Sequence, residues 1–204
     1  MRDRIRAGAA IYNDGYYHAA HDAWEERWLE LEDGTDDERL LHGLIQFTAA
    51  VYHARNRNWE GAVGLADSAR EYLAAVPSDY RGLRLDSIRR ALADLAADPA
   101  VLERRSPPSI IHENGVPRLA ALNLDETAIA ATVLAEEFGF DPEPIDRART
   151  YARRDLDAGE DDSRFISLLF DFVRERDHRG LVYRRLSQHA DRRRARENDV
   201  EGLF

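Results

Sequence analysis

Six polar side chains near the N-terminus have types and spacings suited to chemistry. His18, His21 and Glu25 recur with Trp28 at three- and four-residue steps, so on a helix they share one face. Further on, His42, Gln46 and His53 fall within about 40° of one another at 3.6 residues per turn. Such a set can do three things. His21, Glu25, Gln46 and His53 can form a buried hydrogen-bonded network that fixes how two helices dock. His21 and Glu25, with His53 or His42, can offer nitrogen and oxygen ligands to zinc, iron or manganese, a divalent ion held without sulfur. Glu25 beside His21 can act as a perturbed general base. Only one His-x3-Glu pair is present, there is no His-Glu-x-x-His, and no nucleophile, phosphate loop or nucleotide fingerprint accompanies it.

The elements that must position these groups read as helices. One is expected over 3–13, ended by Asn13-Asp14-Gly15, with Gly15 in a left-handed C-terminal position. A second is expected from Tyr16 to Glu32, and Thr35 or Asp36 caps a third over 37–55. That third helix is apolar on nearly every face and reads as central and buried, so its polar stripe lines a cleft or a buried seam. Helices from Trp59 to Ala75, ended by Pro77, and from Leu83 to Ala97 complete an N-terminal set. Two short segments repeat at an offset of 43: Asn13, Tyr16 and Ala19 align with Asn56, Trp59 and Ala62. A turn, an aromatic plug and a small residue are how stacked antiparallel αα-hairpins pack. Trp24, Trp28 and Trp59 fit that role better than a base-stacking surface.

Four prolines between 99 and 124 exclude a long helix there, and Asn114-Gly115 suggests a small β-hairpin lying against helices. Beyond it, Asp125 is expected to cap a helix reaching Phe138, and Asp141-Pro142 opens another to Ala158. Asp162 or Ser163 starts a helix with Phe165, Leu168, Leu169, Phe172 and Val173 on one face. Gly180 interrupts before a last helix with Leu181, Val182 and Leu186.

Composition narrows the setting. The chain of 204 residues is 44% hydrophobic, enough for a core, and no apolar run is long enough to span a membrane. The first residues do not read as a secretory segment. There is no cysteine, which excludes disulfides, thiol catalysis and Cys-ligated zinc and fits a cytoplasmic location. The formal charge is −10, and all 29 basic residues are arginine. Acidic and lysine-free is the composition expected of a halophilic protein. At about 1 M salt the Debye length is roughly 3 Å, so the self-repulsion of such a surface vanishes.

The exception is the C-terminal end, where nine arginines face four acids from Arg174 to Glu197. Arg192, Arg193, Arg194 and Arg196 are the candidates for nucleic-acid contact. Phosphate contacts weaken steeply with salt, so nucleic acid is not the favoured partner. Pairing with acids of this chain or another subunit is the plainer role.

Taken together, three runs resemble a known family. They are Tyr12-Asn13-Asp14-Gly15-Tyr16-Tyr17-His18-Ala19-Ala20-His21-Asp22-Ala23-Trp24-Glu25-Glu26-Arg27-Trp28, then Gly43-Leu44-Ile45-Gln46, then Asn58-Trp59-Glu60-Gly61-Ala62. The pattern is similar to that of domain-of-unknown-function family number 309 over residues 5–76. The chain departs from it at Asp22, where the family has Glu. The resemblance implies a compact helical bundle and names no activity.

The fold expected is all-α: a bundle of stacked antiparallel αα-hairpins over 1–98, a Pro-rich connector with a small β-hairpin over 99–124, and a helical extension over 125–204 packed on the bundle. The function expected is a non-catalytic binding or assembly module with an unidentified protein or small-molecule partner. A metal-dependent enzyme using the His/Glu cluster, and nucleic-acid binding by the arginine-rich helix, are the alternatives. Homodimerisation would cover leftover apolar helix faces, and no membrane association is expected.

Overall fold

The computed structural model describes residues 1–201 as helices joined by short loops, with one two-stranded sheet. The fold is all-α. The chain divides into two compact units, the first Met1–Arg118 and the second beginning at Leu119. Among the described residues no helix is long and apolar enough to cross a membrane.

In the first unit, α1 (Arg2–Asn13) buries Ile5, Ile11, Tyr12 and the alanines between them. It ends as expected: Gly15 takes a φ of +96°, and the amide of Tyr16 bonds back to Ile11 O at 3.2 Å. That closure helps keep Tyr16 from starting a helix. The expected helix from Tyr16 to Glu32 is instead a 3₁₀ turn, Ala19–His21, followed by α2 (Asp22–Trp28). The reason lies at one carbonyl. His18 O accepts from both the backbone N–H and Nδ1 of His21. The Asp22 amide turns to Ala19 O instead, giving the tighter 3₁₀ pitch.

Thr35 caps α3 (Asp36–Arg55), accepting from the Glu38 amide at 3.2 Å. Asn58 caps α4 (Trp59–Ala74) in the same way. The two helices form a close antiparallel pair because Gly43 offers no side chain: a Cβ there would lie 2.5 Å from Leu73 Cγ. Gly8 does the same for α1, where a Cβ would run into the ring of Trp24. Trp24 is fully buried, and its Nε1 donates to Arg4 O. The expectation that α3 is buried on nearly every face holds for Leu40, Leu41, Leu44, Phe47 and Val51 but not for Tyr52, which is 39% exposed.

A small sheet that the sequence did not reveal precedes the next helix. Strands β1 (Asp79–Tyr80) and β2 (Leu83–Arg84) pair across Arg81-Gly82, both with positive φ, so α5 starts at Leu85 and runs to Ala97. The short α6 (Val101–Arg104) follows. The turn expected at Asn114-Gly115 falls one residue earlier, on Glu113 and Asn114, with φ of 49° and 68°. Its pairing is a single bridge, His112 to Gly115, and His112 bridges Leu83 as well. The segment is held by Asn13, whose side chain accepts from the Ile110 amide and donates to Ile110 O and Pro117 O. His112 is buried there, with no hydrogen-bond partner on either ring nitrogen among the described residues.

The second unit begins with a 3₁₀ turn, Leu119–Ala121, and then α7 (Leu124–Glu137). Its cap is Asn123 rather than Asp125: Asn123 and Glu126 exchange side-chain and backbone bonds in a capping box. Helix α8 (Glu143–Asp157) starts one residue later than expected, with Asp141 Oδ1 accepting from the Glu143 amide. Ser163 caps α9 (Arg164–Arg174), which buries all five residues of its apolar face against its neighbours α7, α8 and α10. A 3₁₀ turn, Arg176–His178, leads into α10 (Arg179–Glu201), so Gly180 lies in the first turn of that helix and does not interrupt it.

Candidate functional site

The six polar candidates separate into three groups. His42 and Gln46 lie four residues apart on α3 and meet, Gln46 Nε2 being 3.4 Å from His42 Nε2. His42 Nδ1 reaches Glu38 Oε1 at 3.1 Å, and Trp28 Nε1 donates to the same oxygen at 3.0 Å. One tautomer satisfies the whole chain: Gln46 donates to His42 Nε2, and His42 Nδ1–H donates to Glu38. The His42 ring is stacked on Tyr72 at 3.8 Å, and Trp28 is tilted against it at 4.6 Å. Burial pushes the Glu38 carboxyl up, but the bonds from Trp28, His42 and the Gly34 amide outweigh it and hold its pKa below the usual value. The group is complete in itself and ties α2 to α3.

His53 stands apart. Its Nδ1 accepts from Asn58 Nδ2 at 2.7 Å, while Asn58 Oδ1 caps α4. His53 steadies that cap. Among the described residues no hydrogen bond, ion pair or ring contact joins it, or Gln46, directly to His21 or Glu25.

The third group is the one with unspent chemistry. His21, Asp22 and Glu25 each offer a ligand atom, and these lie within 4.8 Å of one another. Among the described residues this is the one group of three or more His, Asp or Glu so arranged. His21 and Glu25 are one turn apart, as the spacing predicts. Asp22, which in sequence is only the departure from the family pattern, turns out to be the direct partner of His21: its Oδ1 lies 2.9 Å from Nε2. His18 completes the surroundings, its exposed ring edge-on to His21 and to Tyr52, each at 4.8 Å.

The bonding of His21 carries a consequence. Its Nδ1 faces a carbonyl, which can only accept, so Nδ1 bears a hydrogen. In the neutral ring Nε2 is then a bare lone pair facing a carboxylate. A cation must sit between them, either a proton or a metal ion. The hydrogen bond to Asp22 is the main cause that raises the pKa of His21; burial opposes it, and the charges of Asp22 and Glu25 and the His18 carbonyl add to it. A His that donates its Nδ1–H to a backbone carbonyl and presents Nε2 beside carboxylates is also how metal-ligating imidazoles are oriented.

The four arginines of the C-terminal helix do not form one outward surface. Arg193 turns inward to Asp155 and lies over the Tyr151 ring at 4.5 Å. Arg194 approaches Glu143 at 3.8 Å. Arg192 and Arg196 are exposed.

The residues that sequence reasoning missed are Asp22, Glu38, Tyr52 and Tyr72. Glu38 had a signal, lying one helical turn before His42; Tyr52 and Tyr72 reach the histidines only through tertiary packing. Much of the family pattern is now explained by structure: Asn13 as a clamp, Gly43 as a close-packing point, Trp28 and Gln46 as ends of the Glu38–His42 chain, Asn58 as a cap. A comparison with curated proteins returns no match. Residues 5–65 match the family model described as domain of unknown function (DUF309), so the N-terminal part of this chain is similar to that family.

Proposed function

We propose that the N-terminal unit is a non-catalytic binding module whose ligand is a divalent metal ion held by His21, Asp22 and Glu25. The observation that supports this reading is the bonding of His21: with Nδ1 on a carbonyl and Nε2 2.9 Å from the Asp22 carboxylate, the Nε2 position takes a proton or a metal ion, and Glu25 brings a second carboxylate within reach. Nitrogen and oxygen ligands without sulfur suit zinc, manganese or iron(II). His21 and Asp22 are 22% and 32% exposed at the side chain and Glu25 is exposed, so the ion exchanges with solvent and keeps positions open to water or a partner. That supports reversible binding over chemistry that needs a dry cleft. The acidic, lysine-free composition supports a halophilic protein working in the cytoplasm at molar salt, where a surface charge is screened but direct coordination is not.

Titration with zinc or manganese, followed by the imidazole resonances, tests the reading. The expected result is saturable perturbation of His21, and of its neighbour His18, with His42 unmoved. Equal perturbation of all the histidines, or none at saturating metal, overturns it.

A further inference from the structure

On α10, Arg192, Arg193 and Arg196 lie three, four and seven residues after His189, so the four share a face. Three of them border a cleft of about 1010 Å³ whose other walls are the end of α8, the loop after it and the first turn of α9. The volume is that of a small-molecule site.

Arg193 is already committed to Asp155 and to the faces of Tyr151 and Phe165. Glu197 is shared by Arg154, Arg193 and the Tyr151 hydroxyl, and Asp155 also takes the Ser163 hydroxyl. Arg164 and Arg196 differ. Among the described residues neither lies within ion-pair reach of a carboxylate. Arg164 Nη1 sits 3.4 Å from His189 Nε2 instead. A guanidinium has no lone pair, so His189 must offer its own and stay neutral in this arrangement. Burial, and then Arg164, Arg192 and Arg196, push the pKa of His189 below its usual value.

Arg164, Arg192 and Arg196 thus gather around a neutral imidazole, and among the described residues no carboxylate is in ion-pair reach of Arg164 or Arg196. The exposed Glu160 and Asp162 complete the lining, so the cleft has little net charge to attract anions indiscriminately. Binding must come from directed guanidinium bonds, which favour a planar or tetrahedral oxyanion.

We propose that this cleft binds the phosphoryl group of a small phosphorylated molecule, held by Arg164 and Arg196 with His189 as a third donor. A phosphoryl dianion has enough oxygens for all three, whereas a carboxylate has two. On binding, His189 passes from accepting to donating and takes up a proton.

The test uses the full chain with inorganic phosphate and pyrophosphate as probes, by calorimetry and by the His189 imidazole resonance. The expected result is saturable binding that raises the pKa of His189. Arg164→Gln and Arg196→Gln should each weaken it by about tenfold, the loss of one charge-assisted bond. Arg184→Gln, on another face of α10, should leave it unchanged. Circular dichroism checks that each variant is folded, and His189→Gln asks for the third donor separately. Absence of saturable binding overturns the proposal, as does an equal loss in Arg184→Gln. So does binding of a short single-stranded oligonucleotide that pyrophosphate fails to displace, which would assign the face to nucleic acid.

Discussion

Replacing Gly43 by alanine adds one methyl group at the closest approach of α3 and α4. The new Cβ would stand 2.5 Å from Leu73 Cγ and 2.6 Å from Leu73 Cδ2. Carbon atoms prefer roughly 3.5–4.0 Å, so the helices or the Leu73 side chain must give by about 1 Å. Leu73 is fully buried, which leaves it no open rotamer to escape into. Overpacking of this kind costs about 1–3 kcal/mol, while Gly→Ala within a helix returns up to about 1 kcal/mol. The net expectation for Gly43→Ala is a loss of about 1–2 kcal/mol, read as a lower midpoint in denaturant unfolding at molar salt. A double-mutant cycle makes the cause specific. Leu73→Ala alone leaves a cavity and costs about 2–5 kcal/mol. With Gly43→Ala beside it the new methyl fills part of that space, so the double variant should be more stable than the sum of the singles by about 1–2 kcal/mol. A stabilising Gly43→Ala, or strict additivity with Leu73→Ala, would refute the close-packing argument.

Further outcomes follow from the polar groups. Glu38→Ala strands the Trp28 and His42 donors and should cost about 3 kcal/mol in unfolding, with loss of the Trp28 fluorescence environment; a cost near zero would mean the chain from Gln46 to Glu38 does not hold the helices. Because the Glu38 pKa lies below its unfolded value, its contribution is present above about pH 4.5 and is lost as pH falls through the lowered value, so the variant's deficit should shrink in acid. Asp22→Asn removes the main support of protonated His21, and the His21 pKa should fall in an NMR titration; an unchanged value would contradict the pairing. His112 runs the other way from His21. Burial pushes its pKa below 6.5, with Glu113 opposing and Arg6 and Arg2 assisting, so the fold favours the neutral ring. Wild type should therefore lose stability as pH falls below about 6.5, and a His112→Gln variant should lose less over that interval. Parallel pH profiles for the two chains would show that His112 does not titrate against the fold.

The sequence was most informative where one element decides its own form. The apolar face of α9 is a local pattern that stands where the spacing put it, and Thr35 and Ser163 are each one of the two residues the sequence offered for their caps; Asn58 was in view without its role as a cap. It was least informative where a side chain competes for a backbone group. Nothing local says that His21 Nδ1 takes the His18 carbonyl and tightens the chain into a 3₁₀ turn. Asn123 beat Asp125 as a cap because Glu126 three residues on could return the bond, a pairing that was readable but overlooked. For the candidate site, the His21–Glu25 spacing was legible, and Asp22 was in view without its role. Grouping Gln46 with His53 failed on distance along the axis rather than on angle. Seven residues are two turns, about 10 Å of rise, so a shared face did not make a shared site. His42 and Gln46, one turn apart, do meet.

The central claim is that His21, Asp22 and Glu25 hold a metal ion, and elemental analysis tests it most directly. Wild type, His21→Ala and Glu25→Ala are purified at high salt without chelator or affinity metal. The account predicts stoichiometric zinc, manganese or iron in wild type and its loss from both variants while they remain folded. Wild type free of metal that also takes up none from excess zinc or manganese would contradict it and leave His21 a protonated partner of Asp22.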